Sequence, residues 1–529
     1  SLGMQSLYND TTGTYNTALG FQALFAQTAA DYNTAVGSFT LDANTTGNYN
    51  TAVGYQALTT AVTAAGNTAV GYNSLRDATG SFNTAVGYHA LVQSTTAEDN
   101  TAVGYEALAA ITTGSYNTAI GRRAAYSTTT AIENTALGYR ALDANTTGTL
   151  NTATGARSLF SNTTGAGNTA VGFNAMLSNT AASNNTAVGY QAAYSGVSAA
   201  NTTAVGKDAL YANTASNNTA VGYRAGASNT SGDYNVVMGA EAMPNNTTGH
   251  SNTALGQGAA YGSTSGYQNT AVGRSALFSA NTARDNTAVG FQALQLTTTG
   301  IENTAVGKSA GSSNTTGTRN VYIGRNAGLS GTTSTDNTAL GDSSMQSLTV
   351  GTNNSAFGRL ALYSNTSGNS NTVGGAQAAY SNTTGIENIF LGFTAAYSNT
   401  TGGYNTAIGT RAFYTNNTGN YNVALGWQAL RYQTTAESNV AVGVNALHST
   451  TTGIENTAVG RDAAYTNSTG THLVAIGHDA LFFANSDDHT AIGYNALRQN
   501  TSGVRNTAVG RSALEQNTTA NNNNAFGYF

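Results

Sequence analysis

Asn50-Thr51-Ala52-Val53-Gly54-Tyr55-Gln56-Ala57-Leu58 decides the fold, because the chain keeps returning to it. It stands earlier as Asn16-Thr17-Ala18-Leu19-Gly20-Phe21-Gln22-Ala23-Leu24 and later as Asn286-Thr287-Ala288-Val289-Gly290-Phe291-Gln292-Ala293-Leu294. A fixed period has to be found before anything else, since missing it misassigns the whole fold. The central glycine sets the ruler, at Gly3, Gly20, Gly37, Gly54, Gly71, Gly87 and onward without a gap to Gly527. Twenty-eight intervals are 17 residues and three are 16. Residues 1–529 therefore read as one continuous β-solenoid array of 31 periods. A count of several domains from length, at about 150 residues each, does not apply.

Composition narrows the function. Charged residues are 8% of the chain, against about 25% in ordinary soluble domains. The surface must be built of Asn, Thr, Ser, Gln and Tyr. A net charge of −5 over 529 residues gives no electrostatic case for nucleic acid or an acidic membrane surface. With 40% apolar residues the chain is not of disordered composition. Cysteine is absent, which removes disulfides and thiolate metal sites. No apolar run approaches the ~18 residues of a membrane helix. There is no signal peptide, and the array opens at Ser1 inside a repeat and closes inside one. That is expected of a processed product or part of something longer.

Numbering each period from its glycine as position 0 gives columns. Position −4 is Asn in 28 of 31 periods, the exceptions being Thr202, Leu473 and His489. Position −2 is Ala except at Val237, Tyr322, Val373 and Phe390. Position −3 is almost always β-branched, position −1 is usually Val, Leu or Ile, position +3 is Ala or Ser except at Thr40, and position +4 is mostly Leu. Positions +6 to +10 read like Ser161-Asn162-Thr163-Thr164-Gly165. Thr, Val, Asn and Gly are poor helix formers, whereas Thr-Ala-Val suits a short strand. Gly at 0 marks a bend, Ala-Leu at +3 and +4 reads as a second strand, and Asn-Thr-Thr-Gly is turn chemistry. The three shortened periods can lose their residue in that turn. The expected fold is all-β: a parallel β-solenoid, flattened to two strands per coil with a protruding polar loop. Coils about 4.8 Å apart would make 31 of them roughly 150 Å long.

Neighbouring strand side chains point to opposite faces. If the Ala columns line a thin interior, Val at −1 and Leu at +4 fall outside. Each aliphatic side chain left in water forgoes about 1.5–3 kcal/mol, and long apolar stripes are rare on monomers. Parity therefore predicts that copies of the chain pack these stripes together, unless the bend at Gly turns both columns inward. Where +4 is Ala, at Ala125, Ala193, Ala260, Ala379, Ala396 and Ala464, the next residue is Tyr. This reads as volume refilled from +5.

The Asn-Thr-Ala-Val-Gly core with Ala at +3 resembles the head repeats of trimeric autotransporter adhesins. It is similar also to the Asn-Thr-Ala-Val-Gly-Tyr-x-Ala-Leu arrays of bacterial and phage fibre-like proteins. The resemblance covers the whole chain and is most specific from −4 to +4. It implies a homotrimeric left-handed parallel β-roll with a shared hydrophobic axis, on a cell surface, outside the cell or in a virion appendage. This repeat is longer than the adhesin head repeat by its Asn-Thr-Thr-Gly turn. No coiled-coil stalk, membrane-anchor barrel or C-terminal chaperone domain is read in this segment.

The candidate residues are structural first. Asn16, Asn33, Asn50, Asn67 and Asn286 are expected to form a hydrogen-bonded amide ladder, and Gly20, Gly37, Gly54, Gly71 and Gly290 the bends. Position +1 is Tyr, Phe or Trp in 14 periods and Arg or Lys in eight. Tyr55, Tyr72, Tyr88 and Tyr105 are thus a possible glycan strip, set against an amphipathic stack with polar tips outward. Stacked Thr17, Thr34, Thr51 and Thr68 raise ice binding, although the accompanying file at −1 is aliphatic. Asn9, Asn44, Asn145, Asn162 and Asn246 match the glycosylation pattern as a by-product of turn chemistry. His472, His478 and His489 occupy different columns and need not converge on a metal. No Ser-His-Asp set, phosphate loop or zinc spacing appears, so no catalysis, metal or cofactor is expected. Three functions follow: the rod of an extracellular homotrimeric fibre, adhesin-like or a phage or filament shaft; a single-chain solenoid polymerising end to end into a filament; or a glycan- or ice-binding repeat module.

Overall fold

The computed structural model describes residues 1–528. Contacts divide the chain into two units, Ser1–Tyr267 and Gln268–Phe529. The first carries 15 three-residue strands, from Thr17–Leu19 to Thr253–Leu255. The second carries 16, from Thr270–Val272 to Asn524–Phe526. Within each unit every strand pairs in parallel with the next, one period on. Thr51, Ala52 and Val53 lie beside Thr68, Ala69 and Val70 in the first unit. Thr287, Ala288 and Val289 lie beside Thr304, Ala305 and Val306 in the second. The fold is an all-β parallel β-solenoid, with no helix among the described residues.

The strand is short because only three residues per coil combine β propensity with a correct inside and outside. Ala52 is fully buried, while Thr51 and Val53 flank it on the outer face, half-buried. At Gly54 the backbone has φ +134°, and a Cβ there would sit 2.3 Å from the carbonyl oxygen of Gly71. Successive bends therefore pack backbone on backbone, which only glycine permits.

The expected second strand is not there. From Tyr55 to Thr60 the chain runs in consecutive turns, with Gln56 at φ 52° and Leu58 at φ 54°. Left-handed backbone costs an L-residue about 1–2 kcal/mol. It is held here by bonds between coils in both directions. The Gln56 N–H donates back to Ser38 O at 3.0 Å, and the Leu58 N–H donates forward to Ser74 O at 3.0 Å. This handedness change also corrects the parity argument. Ala57 and Leu58, though adjacent, are both fully buried, so each chain encloses its own +4 Leu column. The −1 column stays outward: Leu19, Ile120, Leu137 and Val171 in the first unit and Val306, Ile408 and Ile476 in the second remain exposed.

The polar third of the coil does not protrude. Asn44, Asn145, Asn162 and Asn246, at +7, are completely buried. The Asn162 Nδ2 donates to Asn145 Oδ1 at 3.0 Å and to the Gly165 carbonyl at 3.0 Å. In the second unit Asn399 Nδ2 donates to Asn382 Oδ1 at 2.8 Å. An amide ladder replaces the apolar column that this part of the coil lacks, because a buried polar group is tolerated once its bonds are made. The glycosylation pattern at Asn44, Asn145, Asn162 and Asn246 thus falls on enclosed, bonded amides, whereas Asn9 is exposed.

Volume is balanced across the interior rather than from +4 to +5. Tyr126, Tyr194 and Tyr380 are half-buried on the outside, not refilling the core. Fully buried Tyr322 at −2 instead faces two glycines at +4. A Cβ at Gly311 or Gly328 would lie 2.6 Å or 2.3 Å from its ring. Its hydroxyl meets Ser334 Oγ at 2.9 Å. The same offsets put Val237 against Gly226, whose Cβ would stand 3.9 Å from Val237 Cγ2, and Phe390 in the coils of Ala379 and Ala396. Where Ala193, Gly196 and Thr202 replace Leu, Asn and Asn in one coil, a cavity of about 10 Å³ remains.

Candidate functional surfaces

The Asn column at −4 is internal. Asn33, Asn50 and Asn67 are fully buried and Asn286 is 1% exposed, with Asn16 half-buried at the first coil. The Asn33, Asn50 and Asn67 backbone N–H groups donate to Asn16, Asn33 and Asn50 Oδ1 at 2.9, 2.9 and 3.0 Å. Each Nδ2 also staples its own coil shut: Asn33 to Gly47 O at 2.8 Å, Asn50 to Ala64 O at 2.8 Å, Asn286 to Gly300 O at 2.9 Å. Gly20, Gly37, Gly71 and Gly290 repeat the bend of Gly54, at φ 138°, 130°, 139° and 136°. None of these residues offers a free polar group to a ligand.

Asn117 accepts from the next coil's Asn134 N–H at 3.0 Å and donates to Ala131 O at 2.9 Å. Asn117→Leu removes both while keeping volume. Leaving the partners unsatisfied should cost about 1–3 kcal/mol, read as a lower urea midpoint. An unchanged midpoint would contradict the ladder's importance. Leu473 already stands in the column at one coil. It receives no such role, since it can offer no acceptor to the following coil.

Tyr55, Tyr72, Tyr88 and Tyr105 do form an outer file, each 42–43% exposed. Successive rings stack at 5.3, 5.2 and 5.1 Å with interplanar angles of 15°, 9° and 6°. Their faces cover one another, and edges and hydroxyls meet water. Where the file changes to a cation, the cation fills the same role. Arg122 lies 5.5 Å and 5.9 Å from the Tyr105 and Tyr139 rings, and Lys207 lies 5.7 Å and 5.8 Å from Tyr190 and Tyr223. Sugar stacking needs an uncovered ring face, so this geometry favours the packing role of the +1 file over a glycan strip.

The Thr files are also separable. Thr at −3 stands outward beside the aliphatic −1 file, not beside a second Thr file. At +8 the hydroxyls are spent on the backbone: Thr112 Oγ1 donates to Thr129 O at 3.1 Å and Thr129 Oγ1 to Thr146 O at 3.1 Å.

The three histidines occupy three settings. His472 lies 3.3 Å from Glu455 and 3.3 Å from Asp488 on the surface. His489, 1% exposed, takes an Asn place in the −4 ladder, where its Nδ1 accepts from the Asn506 N–H at 3.3 Å. His478 joins Asp462 and Asp479 in the one group among the described residues whose ligand atoms lie within 4.8 Å of one another. Those carboxylates are already engaged, Asp462 by Arg461 at 3.0 Å and Asn445 at 2.8 Å, Asp479 by Arg498 at 3.2 Å. Arginines paired with two of the three candidate ligands oppose a metal ion there.

A fourth histidine, His448, carries a pH effect. It stacks on Tyr465 at 4.6 Å, and burial, reinforced by the charge of Arg431, pushes its imidazole down from 6.5 to about 4. Between those values the unfolded chain binds the proton and the folded one does not. Stability from this group is therefore complete above pH 6.5 and is lost as pH falls towards 4. His448→Gln should flatten the decline of the second unit's melting temperature between pH 6.5 and 4.5. An equal decline in both proteins would assign it elsewhere.

No protein-family model matches the chain, and no curated protein is similar to it. No helix among the described residues is long and apolar enough to cross a membrane.

Proposed function

We propose that the chain is the structural rod of an extracellular homotrimeric fibre, adhesin-like or a phage or filament shaft, without catalysis. The observation that carries this reading is the outward strand face. Thr or another uncharged residue at −3 and an aliphatic residue at −1 flank the buried Ala on strand after strand. Not one of the 31 strands places a charge on that face. An outward aliphatic column repeated from coil to coil marks an interaction site. The partner that matches it over many coils must repeat at the same rise, and a second copy of the chain does so by construction. Three copies meeting at a common axis would bury the −1 files of all three. The resemblance of the −4 to +4 core to adhesin head repeats favours three chains over two.

The test is sedimentation of the intact chain beside Val103→Asp/Val289→Asp. One aspartate on the outward face of each unit should leave the far-UV circular dichroism unchanged and make the assembly dissociate at a higher protein concentration than the parent chain. An unchanged dissociation profile would reject this face as the interface. End-to-end association of single chains is the second reading. It predicts a mass distribution that keeps growing with concentration rather than a closed number.

A further inference from the structure

We infer that the first unit holds a binding site for a neutral saccharide, where one of its outer aromatic files stops. The file is the one at +5. Tyr194 and Tyr211 stack there at 4.9 Å with planes 9° apart. The next residue of the column is Ala227, and the one after it Pro244. The Ala212 N–H donates to Ala227 O at 2.9 Å, which fixes Ala227 on the adjoining coil. One face of Tyr211 is thus covered by Tyr194. The other opens on a depression of about 500 Å³, lined among others by Gln191, Asp208, Arg224 and Thr230. Small-molecule sites have volumes of about 300–1,000 Å³. This differs from the Tyr55 file, where rings close both faces of their neighbours.

The lining selects the ligand. A pyranose ring presents an apolar C–H face and a rim of hydroxyls. The open face of Tyr211 suits the first. A carboxylate, a guanidinium and an amide in adjacent coils suit the second, because each engages neighbouring hydroxyls through two atoms. Asp208 and Arg224 are not consumed by their ion pairs: Lys207 stands 3.9 Å from Asp208, and Glu241 stands 3.6 Å from Arg224. Lys207 and Arg224 balance Asp208 and Glu241, so the site favours neither anion nor cation. The volume takes one or two pyranose rings. The site stands on +2 and +5, apart from the strand face at −3 and −1, and does not depend on how many chains assemble.

Titration calorimetry of the intact chain with cellotriose, chitotriose and maltotriose tests the assignment. At least one should bind saturably. Tyr211→Ala should weaken that binding tenfold or more. Ala227, 7% exposed, forms the floor beside Tyr211; Ala227→Tyr, which continues the file as Tyr363, Tyr380, Tyr397 and Tyr414 do in the second unit, should abolish that binding, with the far-UV circular dichroism unchanged. Absence of binding by all three sugars overturns the proposal, as does full-strength binding in Ala227→Tyr. Tighter binding of a galacturonate oligomer than of any neutral sugar overturns the neutral assignment.

Discussion

Gly290→Ala should unfold the coils around it. The backbone there has φ +136°, and the added Cβ would lie 2.4 Å from the Gly307 carbonyl oxygen and 2.7 Å from its carbon. Left-handed strain alone costs about 1–3 kcal/mol. The contact cannot be relieved by a side-chain rotation, since its partner is backbone. That backbone is also fixed by its own ladder: the Gly290 N–H donates to Val272 O and the Gly307 N–H to Val289 O, both at 2.8 Å. A loss above about 3 kcal/mol is expected. Hydrogen exchange locates it, with protection lost at Gly290 and Gly307 first. Retained protection at both amides would show that neighbouring bends do not pack as described.

Tyr322→Ala should be nearly as damaging, and it should be repairable. The ring fills space left by Gly311 and Gly328, so its removal opens a cavity in a coil that has no +4 side chain to fill it. Large-to-small changes of this size cost about 3–5 kcal/mol. The Ser334 hydroxyl loses its 2.9 Å partner as well. Adding Gly311→Leu and Gly328→Leu returns the coil to the commonest pattern. Leucine suits both places, because Gly311 and Gly328 have φ 56° and 59° while Leu58 and Leu294 hold φ 54° and 48° at the same position. The triple variant should regain most of the lost denaturation midpoint, and Gly328→Leu alone should lower it. A triple variant no more stable than Tyr322→Ala would refute the exchange of volume between −2 and +4.

The period, the strand and its inward alanine are plain in Asn50 to Gly54, because each residue there has one strong local preference. Gln56 and Leu58 are different. Neither residue type signals left-handed backbone, and the bonds that hold them so come from coils 17 residues away. The sequence therefore predicts a strand where turns occur, and parity places Leu58 outside. Asn44 misleads for a related reason. Asn-Thr-Thr-Gly reads as a surface turn in isolation and becomes interior only when stacked amides satisfy one another. The exchange between Tyr322 and its two glycines was readable in principle, since both columns depart from their usual residue together. The break in the +5 file at Ala227 is equally visible in the sequence. The structure adds that the +5 tyrosines stand half-buried on the outside and that Tyr211 ends a stack.

The mass of the intact chain in solution, by native mass spectrometry at low micromolar concentration, is the most direct test of the fibre assignment. One chain is 53.7 kDa. The proposed homotrimer, whose number rests on the resemblance to adhesin head repeats, predicts a single closed species of three times that mass. A stable species of one chain, with the −1 column left in water, would contradict it.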